Sequence, residues 1–556
     1  MDILKKNDEI ELKIESLTSE GSGIAHYNNM AVFVSGVAPD DVVLAHIIKV
    51  KKNYCIAKPV KIITPSLYRT EVDCPYFKSC GGCDFRHITY DAELEYKKQR
   101  VNDAFQRIGN IDLKVEKIYG AENLFHYRNK VQFPVTQCEN GLKTGFFANK
   151  SHRIIPIENC LLQSKEFEKG IKAFEKWTKI SKVSAYDEKT HKGLVRHLYL
   201  RRSSLGEMMV CLVINGKTVP MQDELVNIFK TEVPELKSLC LNINTQKTNV
   251  ILSDKTKTIY GNDYITDVLC GVKFRISANS FYQVNHEQCE KLYKIAQDFA
   301  NVSKDYVLLD LYCGTGTIGL SMAKNVKTLV GIEVVESAVK NAKQNAELNN
   351  IDNAVFICAD AFDGAKQMQK QGLKPNVVVV DPPRKGSARE VIELIDSLSP
   401  ERVVYVSCDP STLARDLKIF EEFNYIAEKA CAVDLFPRTK HVETVVLLSH
   451  KKPDGHINVK VEFGEGEGKV PLDNIAKRAE EYKPKERVTY KMIKEYIEAK
   501  YGFKVHTAYI AEVKRDLGLP MYDAPNAVEE LKQPRKHPTA EKVESIKDAL
   551  KYYKMI

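Results

Sequence analysis

A cysteine occupies a position from which it could do chemistry. Cys408 follows the apolar, β-branched run VVYV at residues 403–406, which predicts a buried strand. The strand must end before Pro410, because proline cannot continue a hydrogen-bonded ladder. Open α/β sheets bind their ligands at the carboxyl ends of parallel strands. Cys408 is therefore a candidate nucleophile, although a free cysteine at a strand end is more often a small core residue.

Further polar residues mark the ends of other predicted strands and a helix. Asp381 directly follows the run VVVV at residues 377–380, and Glu443 directly precedes the run TVVLL. Upstream, the sequence SFYQVN places Gln283 at a predicted helix start. We expect the strand-end residues to lie at one edge of the same sheet as Cys408.

Three cysteines are closely spaced in the sequence CPYFKSCGGC: Cys74, Cys80 and Cys83. The two glycines let the backbone curl so that the thiolates can converge on one centre. A fourth ligand is needed, and we choose Cys160. Zinc in a four-thiolate site and a [4Fe–4S] cluster both remain open, but three close cysteines and a distant one favour the cluster. Three unrelated buried cysteines would account poorly for the glycines and the spacing.

From residue 305 onward, predicted strands and helices alternate. The stretch YVLLDLYCGTGTIGLSMA reads as a strand, a glycine turn and a helix start, where Gly314 lets a cofactor approach the backbone closely. Glu333 ends the next predicted strand, 23 residues after Asp310. A carboxylate there can accept both ribose hydroxyls of an adenosine-containing cofactor. Asp360, at the end of the third strand, can either reach the adenine amino group or cap a helix.

A dinucleotide-binding fold is the obvious rival for this region. No second nucleotide-binding half follows, which disfavours NAD. Asp310 just before the turn, with Tyr312 leading into the first glycine, resembles S-adenosylmethionine methyltransferases more than dehydrogenases.

The composition is that of an ordinary globular protein. Of 556 residues, 44% are hydrophobic and 28% charged, and no apolar run is long enough to span a bilayer. The amino terminus has no apolar signal core, so we expect a cytoplasmic protein in which the 14 cysteines are thiols or metal ligands. The net charge of +8 permits a nucleic-acid partner. Nothing in the sequence indicates an obligate protein partner or a membrane.

The elements before the catalytic region suggest two RNA-holding modules. Short strands and turns over residues 1–63 predict a small barrel of the oligonucleotide-binding sort, which resembles a TRAM domain. The barrel carries basic residues beside an aromatic one, which could bind phosphates and bases: Lys49, Lys51, Lys52 and Tyr54. A barrel that only packs on its neighbour is at least an equal alternative.

Residues 115–265 predict an antiparallel α+β insert. Its recurring basic and aromatic residues are each most simply part of a solvated face, but together they could wall an RNA channel: His126, Tyr127, Arg128, Lys130, Phe146, Phe147, Arg196, His197, Arg201 and Arg202.

After residue 450 a polar, glycine-rich stretch predicts a linker or hairpin, and helical patterns follow over 486–556. An RNA- or ribosome-binding appendix and an inert packing domain are equally compatible with these helices.

Five motifs together resemble one family: GTGTIGL, DPPRKG, SCDPSTLARDL, SFYQVN and HVETVVLL. They are similar to the RNA uridine-5-methyltransferases, and the barrel and cysteine cluster are similar to the bacterial members that act on 23S ribosomal RNA. The resemblance covers about residues 1–450. It implies that Cys408 is the nucleophile and Glu443 the general base. It also implies two cofactors. S-adenosyl-L-methionine would be bound by Gln283, Tyr312, Glu333 and Asp381. A [4Fe–4S] cluster would be held by Cys74, Cys80, Cys83 and Cys160.

We therefore expect an α/β protein with a Rossmann-like methyltransferase domain, flanked by the modules described above. The expected segments are a TRAM-like barrel at 1–63, an iron–sulfur segment with a lead-in helix at 64–110, a central α+β RNA-binding domain at 111–268, a catalytic domain at 269–450 and a helical extension at 451–556. The expected reaction is methylation of carbon 5 of a uridine in 23S ribosomal RNA through a cysteine–uracil adduct. The alternatives are the same chemistry on tRNA uridine-54, or a non-catalytic RNA-binding iron–sulfur protein.

Overall fold

The computed structural model describes residues 4–149, 151–450, 490–517, 519 and 537–553. The chain divides into two compact units, Met1–His456 and Ile457–Ile556. The stretch predicted as a linker or hairpin, residues 451–470, lies outside the described residues. In the described part of the second unit, three helices pack around a small apolar core: Tyr490–Tyr501, Thr507–Asp516 and Ala540–Tyr552. No helix in the described part of the chain is long and apolar enough to cross a membrane.

The amino-terminal module is a six-stranded sheet with the order β1-β5-β6-β4-β3-β2. Its strands are β1 Glu9–Lys13, β2 Ser16–Leu17, β3 Gly23–Tyr27, β4 Met30–Val34, β5 Val42–Val50 and β6 Tyr54–Thr64. The sheet closes because β1 runs on into β2, which pairs with β3. Alternate residues point inward along β5, as the period of a half-buried strand requires. This is the predicted small barrel.

The lead-in helix α1 spans Tyr90–Ala104 and continues as a π-helical turn, Phe105–Gly109. A central seven-stranded sheet follows, with the order β10-β9-β8-β11-β12-β13-β14. Its elements, after the short strand β7 Ile118–Tyr119, are β8 Lys130–Cys138, β9 Gly141–Phe147, β10 Ile154–Pro156, α2 Phe167–Ser181, β11 Val195–Arg202, β12 Met208–Ile214, α3 Gln222–Glu232, β13 Leu236–Ile243 and β14 Thr256–Gly261. The sheet is antiparallel except at β12 and β13, which are parallel because α3 crosses between them.

The hairpin of β15 Tyr264–Leu269 and β16 Val272–Ser277 leads into the carboxyl-terminal sheet. The predicted domain boundary between residues 268 and 269 lies within this hairpin, where Val268 pairs with Lys273.

The last sheet has eight strands in the order β19-β18-β17-β20-β21-β23-β22-β7. Its elements are α4 His286–Ala300, β17 Val307–Leu311, α5 Thr317–Met322, a 3₁₀ turn Ala323–Asn325, β18 Thr328–Glu333, α6 Glu336–Leu348, β19 Ala354–Cys358, α7 Ala361–Lys370, β20 Val377–Val380, α8 Arg389–Leu398, β21 Arg402–Ser407, α9 Pro410–Glu422, β22 Tyr425–Val433 and β23 Glu443–His450. Strands β17 to β21 are parallel to their neighbours, whereas β23 runs antiparallel to β21. The β20 side chains are completely buried, as an apolar strand covered by helices on both faces should be.

Candidate functional site

Six of the predicted site residues lie along one edge of the eight-stranded sheet. Five of them follow or end parallel strands, and the sixth begins the antiparallel strand β23, whose start lies at the same edge. In the order of the strands, they are Asp360, Glu333, Tyr312, Asp381, Cys408 and Glu443. Because Ser407 pairs with Thr444, Cys408 and Glu443 are the next opposed positions across the two strands.

The turn that carries Cys408 is fixed by its neighbours. Asp409 caps α9, and its Oδ1 accepts hydrogen bonds from the backbone N–H groups of Ser411 at 2.9 Å and Thr412 at 3.1 Å. Pro410 occupies the first position of the helix, where its missing N–H costs nothing. The sharp strand-to-helix turn leaves Cys408 half-buried at the sheet edge.

The groups around Cys408 act on the pKa of its thiol in opposite directions. The sequence suggests that a nearby Arg384 lowers this pKa, and Arg384 does act in that direction. Burial, together with the Glu443 and Asp381 carboxylates, raises the pKa of Cys408 to about 12, and the attraction of Arg384 is smaller. The resting thiol is therefore protonated and needs a proton acceptor before it can attack.

Two carboxyl groups beside Cys408 can exchange protons near neutral pH. Burial raises the pKa of Glu443 to about 8, with a further contribution from Asp381. Burial alone raises the pKa of Asp381 to about 7. Carboxyl groups in this range are suited to general acid–base chemistry.

The glycine turn between β17 and α5 forms a cradle beside this pair. Tyr312 has a left-handed φ of 62° and Gly314 a φ of 54°, and no atom lies within 4 Å of the place where a Cβ of Gly314 would stand. The Gly314 N–H donates to Glu333 Oε2 at 3.1 Å, which fixes the carboxylate at the end of β18. The large apolar side chain of Val334 is 69% exposed next to it. An open backbone, a fixed carboxylate and an uncovered apolar surface fit the ribose and adenine of an adenosine cofactor.

The two remaining cofactor candidates are Asp360 and Gln283. Asp360 caps α7, since its side chain accepts a hydrogen bond from the backbone N–H of Asp363 at 2.9 Å. Of the two roles that the sequence left open for Asp360, the structure shows this contact with the helix start. Gln283 lies three residues before α4, and its carbonyl accepts a hydrogen bond from Asn129 at 3.0 Å. The neighbouring Phe281 is 66% exposed, which is unusual for a large aromatic side chain.

The four predicted ligand cysteines line one small cavity of about 60 Å³: Cys74, Cys80, Cys83 and Cys160. Burial raises the pKa of Cys83 to about 11, while the Arg86 guanidinium, whose Nε lies 3.4 Å from its Sγ, acts in the opposite direction. No group of three or more His, Cys, Asp or Glu side chains among the described residues is arranged to hold a metal ion. The geometry therefore does not support the predicted cluster, although four cysteine thiolates are the donors that a [4Fe–4S] cluster takes.

A buried ion network that sequence reasoning missed fixes the segment before Glu443. Lys97 Nζ lies 2.7 Å from both Glu93 Oε1 and Asp434 Oδ1, and all three side chains are completely buried. Tyr90 donates to Asp434 Oδ2 at 2.8 Å, and the Arg438 backbone N–H donates to Glu93 Oε1 at 2.7 Å. The spacing of Glu93 and Lys97 is that of an ordinary exposed helix pair, so the sequence held no signal of the burial.

Replacing Lys97 by methionine is expected to lower the free energy of unfolding by about 3–5 kcal/mol, because it leaves two buried carboxylates facing each other. The urea transition of the full chain, followed by circular dichroism, measures this. Lys98→Met is the matched control, since Lys98 pairs with the solvent-exposed Glu95 and should contribute at most about 1 kcal/mol. An equal decrease in the free energy of unfolding in the two variants would show that the buried network stabilises the protein no more than an exposed ion pair does.

Several residues of the predicted RNA channel have structural partners instead. The buried Arg196 donates to the carbonyls of Asn244 and Gln246, at 2.9 and 2.7 Å. The buried Arg201 donates to the carbonyls of Ser277 and Ser280. These two arginines hold loops of the central sheet, and their assignment to an RNA-facing wall was wrong. By contrast, Lys49, Lys51, Lys52 and Tyr54 of the barrel are exposed.

Comparison with known proteins places these features in a family. The profile of the tRNA (uracil-5-)-methyltransferase family matches residues 89–451, and that of the TRAM domain matches residues 4–60. An uncharacterized RNA methyltransferase of Clostridium tetani is 42% identical over 448 residues, which cover 80% of this chain and 97% of the relative. One of Halalkalibacterium halodurans is 41% identical over 450 residues, covering 81% and 98%.

Among solved structures, the tRNA (uracil-54, C5)-methyltransferase of Pyrococcus abyssi in complex with S-adenosyl-L-homocysteine is similar. It has a TM-score of 0.63 and 26% identity, and the match covers 79% of this chain and all of the other. The protein belongs to the tRNA (uracil-5-)-methyltransferase family of S-adenosylmethionine-dependent RNA methyltransferases, with a TRAM domain at its amino-terminal end.

Proposed function

We propose that the protein methylates carbon 5 of a uridine in 23S ribosomal RNA through a covalent adduct with Cys408. The observation that carries this proposal is the opposition of Cys408 and Glu443 across β21 and β23, with Asp381 on the next strand. A nucleophile, a base and a cofactor cradle then share one sheet edge. S-adenosylmethionine, when bound, supplies an electrophilic methyl group.

The residues would act on a uracil ring that cannot react by itself. Carbon 5 of uracil is a poor nucleophile. Once the thiol proton of Cys408 has passed to the Asp381 carboxylate, Sγ adds to carbon 6 and turns the ring into an enolate that is nucleophilic at carbon 5. After methylation, Glu443 removes the proton from carbon 5, and the returning electron pair expels the thiolate. Glu443 must be ionised for this step, and its pKa of about 8 leaves a useful fraction ionised at neutral pH.

The RNA must present a single unstacked nucleotide to this edge. Extruding a base costs stacking energy, which contacts elsewhere on the protein have to offset. The exposed Lys49, Lys51, Lys52 and Tyr54 of the barrel provide charge and an aromatic face of the kind that holds single-stranded RNA. The exposed Phe281 offers a second stacking surface close to Gln283.

Cys74, Cys80, Cys83 and Cys160 would hold a [4Fe–4S] cluster. Three features support this assignment: the cavity that the four cysteines share, the two glycines between Cys80 and Cys83, and the Arg86 guanidinium beside Cys83. A cluster with four thiolates is an anion in a partly apolar site, and a buried guanidinium offsets that charge.

Anaerobically purified protein is expected to be brown and to contain about four irons per chain. Metal analysis and the visible absorption spectrum measure this without any RNA. Cys83→Ser should lose most of the iron, whereas Cys138→Ser, which removes a half-buried cysteine outside the set, should retain it. Stoichiometric zinc without iron would contradict the cluster.

The same chemistry on tRNA uridine-54 is the second candidate, favoured by the similarity to the Pyrococcus abyssi enzyme. Mapping 5-methyluridine in the ribosomal and transfer RNA of a deletion strain separates the two. Loss of 5-methyluridine from 23S ribosomal RNA is the expected result, and loss from tRNA alone would favour the second candidate. Full retention in both would favour the non-catalytic alternative, an RNA-binding iron–sulfur protein.

A further inference from the structure

The loop of residues 278–285 connects β16 to α4 and carries Gln283, a proposed cofactor contact. The structure describes all of its residues, and the loop has neither a helix nor a strand of its own. Phe281 is exposed, whereas Ser280 and Tyr282 on either side of it are buried. Contacts with other elements must therefore fix the shape of this loop, because a binding residue is placed only as precisely as its supports allow.

Arg201 of β11 holds the first half of the loop. Its Nη1 donates to the carbonyls of Ser277 at 2.9 Å and Ser280 at 3.0 Å, and its Nη2 donates to the carbonyl of Ser280 at 3.0 Å. The side chain is buried, and a guanidinium is costly to remove from water unless it is hydrogen-bonded. Because the guanidinium is a rigid, planar fork, these bonds fix the two carbonyls relative to each other.

Asn129, directly before β8, holds the second half of the loop. Its Nδ2 donates to the carbonyl of Gln283 at 3.0 Å, and its backbone N–H donates to the carbonyl of Val284 at 2.8 Å. Arg201 is paired with Lys130, the next residue after Asn129, in the neighbouring strand. Both halves of the loop are thus held from one place in the central sheet.

The loop is also tied to the cofactor cradle, through α6. Asn341 Nδ2 donates to Ser280 Oγ at 3.1 Å. One helical turn later, the completely buried Asn345 donates from Nδ2 at 3.2 Å to the carbonyl of Thr315, which lies in the glycine turn between β17 and α5. Contacts therefore run without a break from Arg201 through Ser280 and α6 to the turn that forms the cradle.

We propose that Arg201 is a positioning residue for the cofactor. It sets Ser280 against α6 and thereby holds Gln283 and the glycine turn in the arrangement that accepts S-adenosylmethionine. Arg201 acts through the loop, since its hydrogen bonds go to backbone carbonyls. Loosening a supporting group by about 1 Å is enough to impair a site of this kind. The inference rests on the proposed function only in placing the cofactor at Gln283 and the glycine turn.

Isothermal titration of the full chain with S-adenosyl-L-homocysteine tests this role without RNA or methyl transfer. Arg201→Met is expected to raise the Kd about tenfold, the effect of misplacing about one hydrogen bond to the ligand. Ser280→Ala keeps the carbonyl for Arg201 but removes the Oγ that Asn341 contacts, and should raise the Kd about threefold. Because it removes a single oxygen, this second variant remains informative even when Arg201→Met does not fold.

Arg196→Met is the matched control for the arginine variant. Arg196 also lies on β11 and is also buried. Its guanidinium donates to three carbonyls of a different loop: Asn244, Gln246 and Thr248. Its loss should lower the urea midpoint of unfolding about as much as Arg201→Met does, but it should leave the Kd unchanged. An equal rise in the Kd of both arginine variants would show that affinity merely follows stability, and would overturn the positioning role.

Asn279→Ala is the matched control for the serine variant. The Asn279 amide donates to the carbonyl of Ser253 at 3.0 Å and not to α6, so the Kd should stay at the wild-type value. A wild-type Kd in both Arg201→Met and Ser280→Ala would refute the proposed role of Arg201. Wild-type protein that binds no S-adenosyl-L-homocysteine would overturn the cofactor site itself, whereas failure of the uridine chemistry would appear separately, in the RNA nucleoside analysis.

Discussion

Cys408→Ala is expected to abolish methylation while leaving the binding of S-adenosylmethionine and RNA nearly unchanged. The reason is that, in the proposed mechanism, the thiol activates carbon 5, whereas the proposed cofactor contacts lie on other strand ends. Methyl transfer from labelled S-adenosylmethionine measures the first effect, and equilibrium binding of cofactor and RNA measures the second. Cys431→Ala, which removes a half-buried cysteine of β22, is the matched control and should remain active.

The covalent step can be observed directly with an analogue. RNA carrying 5-fluorouridine at the target should trap the wild-type protein as a stable adduct, since fluorine cannot be removed as a proton. Peptide mass analysis of that adduct should identify Cys408. Near wild-type methylation in Cys408→Ala, or an adduct mapped to another cysteine, would refute the proposed nucleophile.

Glu443→Gln is expected to form the adduct and transfer the methyl group but to release the product slowly. The amide cannot remove the proton from carbon 5, and that removal comes after methyl transfer. The variant should therefore accumulate covalent RNA–protein complex with normal RNA, which denaturing gel electrophoresis detects.

The pH dependence of adduct breakdown adds a second readout for Glu443. Because burial raises the pKa of this carboxyl to about 8, its ionised, basic form increases as the pH rises through that value. Breakdown in the wild type should accelerate between pH 6 and 8, whereas breakdown in Glu443→Gln should lack this rise. Normal turnover in the variant would mean that another residue is the base.

Local sequence patterns were sufficient to predict the edge on which these residues lie. Cys408, Asp381 and Glu333 each follow or end a short apolar run, and such runs become parallel strands whose carboxyl ends share an edge. The small barrel was predictable for the same reason, because the alternation of its strands is local.

What could not be predicted depends on contacts between distant residues. The pKa of Cys408 is set by burial and by carboxylates on other strands, which the nearby Arg384 alone did not reveal. Arg196 and Arg201 look like RNA-binding residues in sequence, but the central sheet buries both and satisfies them with carbonyls. Lys97 gave no sign of its role, because its partner Asp434 comes from the far end of the first unit.

The Lys97–Asp434 contact has a consequence for how the protein is made. It joins positions 337 residues apart, so the segment that presents Glu443 has no buttress until almost the whole first unit has left the ribosome. The cysteine segment and α1 are translated early and must wait with Glu93 and Lys97 uncovered. The segment that leads into β23 therefore gains its buried anchor only after Asp434 has been translated, so the position of Glu443 opposite Cys408 is secured late in the synthesis of the first unit.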